Sequence, residues 1–290
     1  MGSRCRWGCT WRERLFGRSD TVRCVTRYIH GETDPVEISR LETQARFLSR
    51  WILDGVEIGP GSFVLDMACG TGAMSRRLRA RFPDVHLFGC DISQNQLLAA
   101  RAEQERVRDR FPLVRCTAAA LPFFSTTFDA VHCSWLLEHV PREETIAILG
   151  EARRVLRPAG VAYLCEVENE SLLFWPRNPL LEECFRALWE VQAAGGGDPI
   201  IGRKLHGLCT AAGYSRTDVI PTTQHFHAGS PPGYYHAMIH EFAEILRSAQ
   251  DALPGPLRGR VEQACSDLYD LERQPGSSFT YTFFRARAHV

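Results

Sequence analysis

A turn of small residues in segment 64–75 can bring a ligand close to the polypeptide backbone. Gly70 and Gly72 carry no side chain that would block such an approach. A dinucleotide-binding fingerprint would place glycine or alanine three residues after Gly72, where this chain has Ser75. Asp66, at the end of the preceding apolar run, would repel a pyrophosphate, whereas its carboxylate suits a cationic ligand. We therefore predict a site for a cationic ligand at this turn.

A second carboxylate follows the next apolar run. Asp91 lies 19 residues beyond Gly72, and an acid at this place can accept hydrogen bonds from both hydroxyls of a ribose. Alternatively, Asp91 caps the helix that is predicted to begin near Ser93. Both roles stay open at this point.

Histidine and cysteine spacing does not indicate a metal centre. His225 and His227 are two residues apart, and no third ligand of recognisable spacing accompanies them. The 11 cysteines include no C-x-x-C pair, and four of them close apolar, strand-like runs, where a thiol serves as a small buried hydrophobe. We predict no metal and no disulfide framework, a pattern typical of a reducing cytoplasm.

The elements that must position the candidate side chains alternate along the chain. Apolar runs predict strands at Phe63–Met67, Val85–Cys90, Leu113–Cys116, Phe128–Ser134 and Val161–Glu166. Helical periodicity predicts helices at Ala73–Phe82, Gln96–Arg108 and Glu144–Leu156. Such alternation is typical of a parallel sheet covered by helices on both faces. Beyond it we predict helices near Pro179–Ala193, Gly202–Ala212, Tyr234–Leu253 and Leu257–Leu271, and strands near Tyr214–Ile220 and Phe279–Ala286.

Composition excludes several classes of protein. The chain has 34 basic and 34 acidic residues, which argues against a nucleic-acid partner bound through bulk positive charge. No run of about 18 apolar residues is present, so no membrane partner is predicted. Residues 1–27 hold seven arginines and two acids, and we expect a disordered arm there. The sequence thus predicts a soluble, cytoplasmic globular protein.

Five segments resemble, in order, the motifs of class I S-adenosylmethionine (SAM)-dependent methyltransferases. The first is Asp66-x-Ala68-x-Gly70-x-Gly72, with Ala68 where the family usually has glycine, and the second is Asp91. In the third, 117–123, Thr117 stands where an aspartate is usual, which leaves adenine recognition to the backbone of Ala118. The last two are 128–140 and 154–160. The chain looks most like methyltransferase type 11-like enzymes of quinone and natural-product pathways.

The resemblance implies an α/β fold, the Rossmann-like class I methyltransferase fold. Its sheet would have seven strands, mostly parallel with one antiparallel strand, with a helical N-terminal lid and C-terminal cap insertions. The implied division is a disordered arm at 1–27, a helical lid at 28–58, a SAM-binding core at 59–167, and an acceptor-binding cap with the closing strands at 168–290.

The same resemblance assigns site residues. The implied catalytic pair is His139, as general base, with Tyr28 assisting it, because some relatives pair a lid tyrosine with a histidine after the fourth strand. The residues that the resemblance places at the cofactor are Tyr28, Asp66, Ala68, Gly70, Gly72, Asp91, Ile92, Gln96, Thr117, Ala118 and Ser134. Five aromatic residues are further candidates for the acceptor pocket or for the core of the cap: Trp135, Phe174, Trp175, Tyr234 and Tyr235.

The function that follows is methyl transfer from SAM to a small-molecule acceptor through an O, N or C nucleophile. The acceptor is expected to be aromatic and to belong to bacterial secondary metabolism, and the protein is expected to be a monomer or homodimer. Two alternatives remain. One is an RNA or protein methyltransferase, and the other is a SAM-binding protein without methyl transfer, such as a cyclase.

Overall fold

Seven strands form one sheet in a computed structural model that describes residues 35–290. The strand order is β3-β2-β1-β4-β5-β7-β6, and β7 is antiparallel to both β5 and β6, whereas the other pairs are parallel. The predicted fold class is therefore confirmed. The strands are β1 Phe63–Met67, β2 His86–Asp91, β3 Leu113–Arg115, β4 Phe128–Ser134, β5 Leu156–Trp175, β6 Arg216–His227 and β7 Ser278–His289.

Helices cover both faces of the sheet, because successive residues of the buried strands point to opposite sides. In β1, Val64 packs into the apolar cluster on one face and Leu65 into the cluster on the other. The helices are α1 Pro35–Ile52, α2 Ala73–Arg81, α3 Gln94–Val107, α4 Arg142–Val155, α5 Pro179–Ala194, α6 Leu205–Ala211, α7 Tyr234–Ser248, α8 Gly255–Arg258 and α9 Val261–Arg273. Short 3₁₀ turns lie at Leu137–His139, Gly202–Lys204 and Gln250–Ala252.

The predicted strand at Val161–Glu166 is too short, since β5 spans Leu156–Trp175. Its first part pairs with β4, and its second part continues alongside β7 across a register shift between Glu168 and Leu173. Polar residues at 168–171 interrupt the apolar pattern there, which hides the strand in the sequence. The predicted helices Tyr234–Leu253 and Leu257–Leu271 likewise include breaks, where 3₁₀ and irregular turns separate α7, α8 and α9.

The strand order reverses at β1, which lies between β2 on one side and β4 on the other. Ligands of open α/β sheets bind beyond the carboxyl ends of the strands at such a switch point. In this chain the ends of β1, β2 and β4 therefore meet at one place.

Three of the four cysteines that the sequence places at strand ends are buried as predicted. Residues 35–290 contain eight cysteines, all free thiols. Cys90, Cys133 and Cys165 lie fully buried on strands, whereas Cys116 follows β3 and is half-buried. Burial raises the pKa of the Cys133 thiol, and the nearby Glu166 carboxylate raises it further. These thiols are small hydrophobic side chains of the sheet. Within residues 35–290, no helix combines the length and the apolar content that crossing a bilayer requires.

Candidate functional site

A cavity of about 310 Å³ opens at the carboxyl ends of β1, β2 and β4. Helix α1 forms one wall, and α5 and α7 of the C-terminal region form another. Ten of the residues that the sequence assigns to the site line this cavity: Asp66, Ala68, Gly70, Asp91, Ile92, Gln96, Thr117, Ala118, Ser134 and His139. Tyr28 lies outside the described residues.

The turn between β1 and α2 has three residues in the left-handed region, Ala68 (φ 58°), Gly70 (φ 53°) and Gly72 (φ 72°). A Cβ added to Gly70 would lie 3.1 Å from Oε1 of Gln96, a buried oxygen that has no hydrogen-bond partner among residues 35–290. The turn is therefore a backbone cradle beside an unsatisfied acceptor. Such a cradle accommodates a ligand that brings its own donor.

Gly72, which the resemblance also places at the cofactor, does not itself line the cavity. It is buried at the start of α2, where a Cβ would lie 3.5 Å from that of Ala100 and 3.4 Å from the Arg76 guanidinium. The helix begins with a left-handed φ at this position, a conformation that favours glycine. Its part in the site is to turn the chain.

Ala68→Gly is expected to stabilise the protein by up to about 1 kcal/mol. A left-handed conformation costs a residue with a Cβ about 1–2 kcal/mol, and the greater entropy of glycine in the unfolded chain offsets roughly half of this gain. Urea unfolding measures the difference. Arg108→Gly is the matched control, because Arg108 (φ 57°) has the same conformation on an exposed turn. A gain for Arg108→Gly together with a loss for Ala68→Gly would show that the Ala68 methyl group packs productively.

Asp91 joins two turns at the cavity. Its Oδ2 accepts a hydrogen bond of 2.8 Å from the Gly70 amide, and its Oδ1 accepts one of 2.8 Å from the Ser93 amide. The side chain that caps α3 is that of Ser93, whose hydroxyl accepts from the Gln96 amide. Asp91 is thus not the side-chain cap of the helix, and its carboxylate lies at the cavity wall.

Asp66 also lines the cavity, but both of its oxygens have protein partners. The Ser75 hydroxyl donates to Oδ2 at 2.5 Å, and His132 Nδ1 lies 2.8 Å from Oδ1. Only 2% of Asp66 is exposed. Its carboxylate therefore anchors α2 to the sheet. Both of its oxygens are engaged by protein groups, so Asp66 would attract a cation in the cavity through its charge and not through a direct hydrogen bond.

Glu166 holds the segment that carries His139. The fully buried carboxyl group accepts hydrogen bonds from the amides of Leu136 (3.1 Å) and Leu137 (2.9 Å) at Oε1, and from that of Glu138 (3.4 Å) at Oε2. Burial raises the pKa of Glu166 to about 8, and the charge of Glu138 contributes to the same shift. Near neutral pH the group is therefore largely a neutral acid that fixes the 3₁₀ turn.

This shift predicts how stability depends on pH. Between about pH 4.5 and 8 the folded protein keeps the Glu166 proton that the unfolded chain loses, so the contribution of Glu166 is complete below that range and lost as the pH rises to about 8. The loss is on the order of a few kcal/mol. Glu166→Gln should flatten this slope in urea unfolding series from pH 5 to 8.5. Equal slopes for wild type and Glu166→Gln would contradict the assignment.

A chain of polar side chains, which the sequence does not reveal, lines the part of the cavity beyond His139. Tyr281 donates to Asn169 Oδ1 (2.9 Å), Asn169 Nδ2 donates to Gln192 Oε1 (3.4 Å), and Gln192 Nε2 donates to Glu138 Oε2 (2.8 Å). Glu138 Oε1 in turn lies 3.7 Å from Nε2 of His139. The partners are up to 112 residues apart, so no local motif could have found them.

The rest of that region is apolar. The side chains around it come from β5, α5 and α7: Leu172, Phe185, Leu188, Trp189, Met238, Phe242 and Ile245. Of the five aromatic candidates only Trp135 lines the cavity. Phe174 and Tyr235 are buried in the core, Tyr234 packs edge-on against Phe47, and Trp175 is 65% exposed. Those four therefore do not form the predicted aromatic wall.

An ion pair closes the wall between α1 and α7. Arg40 is paired with Glu241, and Gln44 Nε2 donates to the same Glu241 oxygen at 2.8 Å. Arg40 and Glu241 are 9% and 4% exposed. On its other side α1 is tied to α2 through Glu42 and Arg76.

Several known proteins that this chain resembles are methyltransferases. A profile described as a methyltransferase domain matches residues 64–160. An uncharacterized methyltransferase of Synechocystis sp. is 30% identical over 178 residues, which are 61% of this chain and 76% of that protein. A ubiquinone/menaquinone biosynthesis C-methyltransferase of Cereibacter sphaeroides is 37% identical over 111 residues, 38% of this chain and 44% of that protein.

Among solved structures, the YcgJ protein of Bacillus subtilis shares the fold. Its TM-score is 0.56 at 16% identity, over 84% of this chain and 97% of that one. The chain spans only 33%, 63% and 44% of the length of three curated relatives that it matches.

Proposed function

The chain belongs to the class I SAM-dependent methyltransferases, and from this premise we propose that it transfers the methyl group of SAM to a small-molecule acceptor. The observation that carries the proposal is that one cavity contains two parts. One is the backbone cradle around Gly70. The other is an apolar acceptor chamber, lined by side chains such as Phe185, Leu188 and Phe242, with the polar chain from Tyr281 to Glu138 at one end. His139 lines the same cavity, next to Glu138 of the polar end. The assignment to bacterial secondary metabolism rests on the resemblance of the motifs.

The cradle fits the cofactor. The buried Gln96 oxygen lacks a donor among residues 35–290, and the left-handed turn leaves the backbone around Gly70 accessible. We assign the ribose hydroxyls to Asp91, and the adenine to the loop of Thr117 and Ala118. The remaining proposed contacts are those of Ala68, Ile92 and Ser134, which line the same cavity.

The acceptor chamber supports an apolar, ring-sized acceptor with one polar group. Side chains such as Phe185, Leu188 and Phe242 favour an apolar body, since burial of apolar surface stabilises binding by about 25 cal/mol per Å². The polar chain from Tyr281 to Glu138 would meet a hydroxyl or amine at the opposite end. An acceptor of this kind places its polar group, the nucleophile, next to His139.

The chain's own residues align the nucleophile and remove its proton. SAM supplies an electrophilic methyl group bound to a sulfonium, and the sulfur leaves as a neutral thioether. Alignment and exclusion of water are the main contributions of the protein to such an in-line displacement. A nucleophile that carries a proton needs a base, and imidazole is the side chain suited to this near neutral pH.

We assign this base to His139, with Glu138 as its positioning residue. Glu138 Oε1 lies 3.7 Å from His139 Nε2, and Gln192 holds the other Glu138 oxygen at 2.8 Å. The negative charge of Glu138 stabilises the imidazolium that forms when His139 takes the proton. Tyr28, outside the described residues, remains a proposed assistant.

Residues 28–58 are proposed to act as a lid over both ligands, with α1 as its described part. Helix α1 lines the cavity with Arg40, Leu41 and Gln44, and it contacts α7 through Glu241. Amide hydrogen exchange in α1 is expected to slow when S-adenosylhomocysteine binds, because the ligand fills the space beneath the helix. Helix α9, which does not line the cavity, is the internal control. Equal exchange in α1 with and without ligand would contradict the lid role.

Calorimetry and turnover together test the function. SAM and S-adenosylhomocysteine should each bind at one site per chain, whereas NAD should not bind. A panel of phenols, amines and quinols, followed by formation of S-adenosylhomocysteine, tests methyl transfer. NAD binding without SAM binding would overturn the assignment. SAM binding without turnover on any small acceptor, but with turnover on RNA or protein, would overturn the small-molecule acceptor.

A further inference from the structure

A cluster of metal-ligating side chains lies on the outside of the cap, away from the cavity. His236 and His240 on α7 and Glu272 on α9 each offer one ligand atom, and these atoms lie within 4.8 Å of one another. We propose that the cluster binds one divalent transition-metal ion of the Zn²⁺ or Ni²⁺ type. Neither the family nor the proposed methyl transfer implies such a site.

The backbone geometry of the cluster suits a shared ion. Residues four apart on an α-helix face the same side, and the rings of His236 and His240 accordingly lie 4.1 Å apart. Glu272 reaches them from the neighbouring helix, with Oε1 at 2.9 Å from His236 Nδ1. Zinc–nitrogen and zinc–oxygen bonds of about 2.0–2.2 Å put the ligand atoms of a tetrahedral site about 3.4 Å apart. The hydrogen-bonded His236–Glu272 pair must therefore open slightly, and the wider separations in the cluster must close. His236 is 61% exposed and free to make this adjustment.

The donor set determines the class of ion. Two imidazoles and a carboxylate favour Zn²⁺, Cu²⁺, Ni²⁺ and Co²⁺, whereas Mg²⁺ and Ca²⁺ prefer oxygen ligands only. Three protein ligands leave a fourth position for water. The His240 ring also packs against the Tyr269 ring, with the ring centroids 4.9 Å apart. Glu244 on the same helix is paired with Arg247 and is not counted among the ligands.

An ion at this place would link the acceptor wall to the helix behind it. Helix α7 turns Met238, Glu241 and Phe242 towards the cavity and His236 and His240 towards α9. A bond between α7 and α9 would therefore stiffen the cap without contacting either ligand. The site is a structural clamp on the acceptor side.

Metal binding by the full chain, freed of metal with a chelator, tests the proposal. ZnCl₂ and, separately, NiCl₂ should bind at one ion per chain in calorimetry and raise the melting temperature by several degrees, whereas MgCl₂ should have no effect. His240→Ala and Glu272→Gln should each weaken binding at least tenfold and remove the thermal shift.

The double variant His225→Ala/His227→Ala is the matched control, because it removes two exposed histidines of β6 and leaves the cluster intact. It should bind both ions as the wild type does. Zn²⁺ and Ni²⁺ binding that survives in His240→Ala and Glu272→Gln would overturn the proposal. Absence of binding to the wild type at millimolar metal would overturn it as well.

Discussion

His139→Ala is expected to lower kcat by 10²- to 10⁴-fold, while the Kd for SAM changes by no more than a few-fold. This is the range over which removal of a general base slows proton transfer. The side chain lines the cavity beyond the cofactor cradle, so its loss removes the base and leaves the cradle intact. Single-turnover kinetics with the best acceptor, together with calorimetry for SAM, separate the two quantities.

Two further variants sharpen this test. His206→Ala, which changes an exposed histidine outside the cavity, should retain wild-type kcat. Glu138→Gln keeps the size of the positioning residue and removes its charge, so kcat should fall, but by less than in His139→Ala. If His139→Ala instead loses SAM binding and thermal stability together, and its kcat at low temperature stays near wild type, His139 is a structural residue.

Asp91→Ala is expected to weaken SAM binding by about 10- to 150-fold. A hydrogen bond to a charged group contributes about 1.5–3 kcal/mol, and each 1.4 kcal/mol is a factor of ten in Kd. Asp91→Asn keeps one acceptor oxygen, which can serve the amide of Gly70 or that of Ser93 but not both, so it should lose less affinity than Asp91→Ala. Asp84→Ala, an exposed acid before β2, should bind SAM as the wild type does. An unchanged Kd in Asp91→Ala would show that this carboxylate only joins the two turns.

The sequence could predict the part of the site that depends on local patterns. Strands β1 and β4 begin and end at the predicted residues, because each is an apolar run bounded by polar or small residues. The parallel arrangement then brings the ends of β1, β2 and β4 together, with Asp66, Asp91 and Ser134 at one cavity. The spacing of local motifs was therefore enough to predict most of the residues that line the cofactor side of the cavity.

The acceptor side depends on long-range contacts instead. Gln192 contacts Glu138 across 54 residues, and Arg40 contacts Glu241 across 201. Each of these residues looks like an ordinary polar position of a helix when the sequence is read alone. Four of the five aromatic candidates do not line the cavity for the same reason, since the packing of the cap, which the sequence does not reveal, decides whether a ring faces the cavity or the core.

The strand order also determines how the fold can assemble. At the edge of the sheet, β6 pairs with β7, which in turn pairs with β5, and α7, α8 and α9 lie between β6 and β7 in the chain. Before β7 is in place, β6 has no strand of the described sheet to pair with, and β5 exposes unpaired backbone groups that invite aggregation. Such non-local pairing is slow to form. We therefore expect the parallel half of the sheet to fold first, and the acceptor wall and the far edge to form together in a later, rate-limiting step.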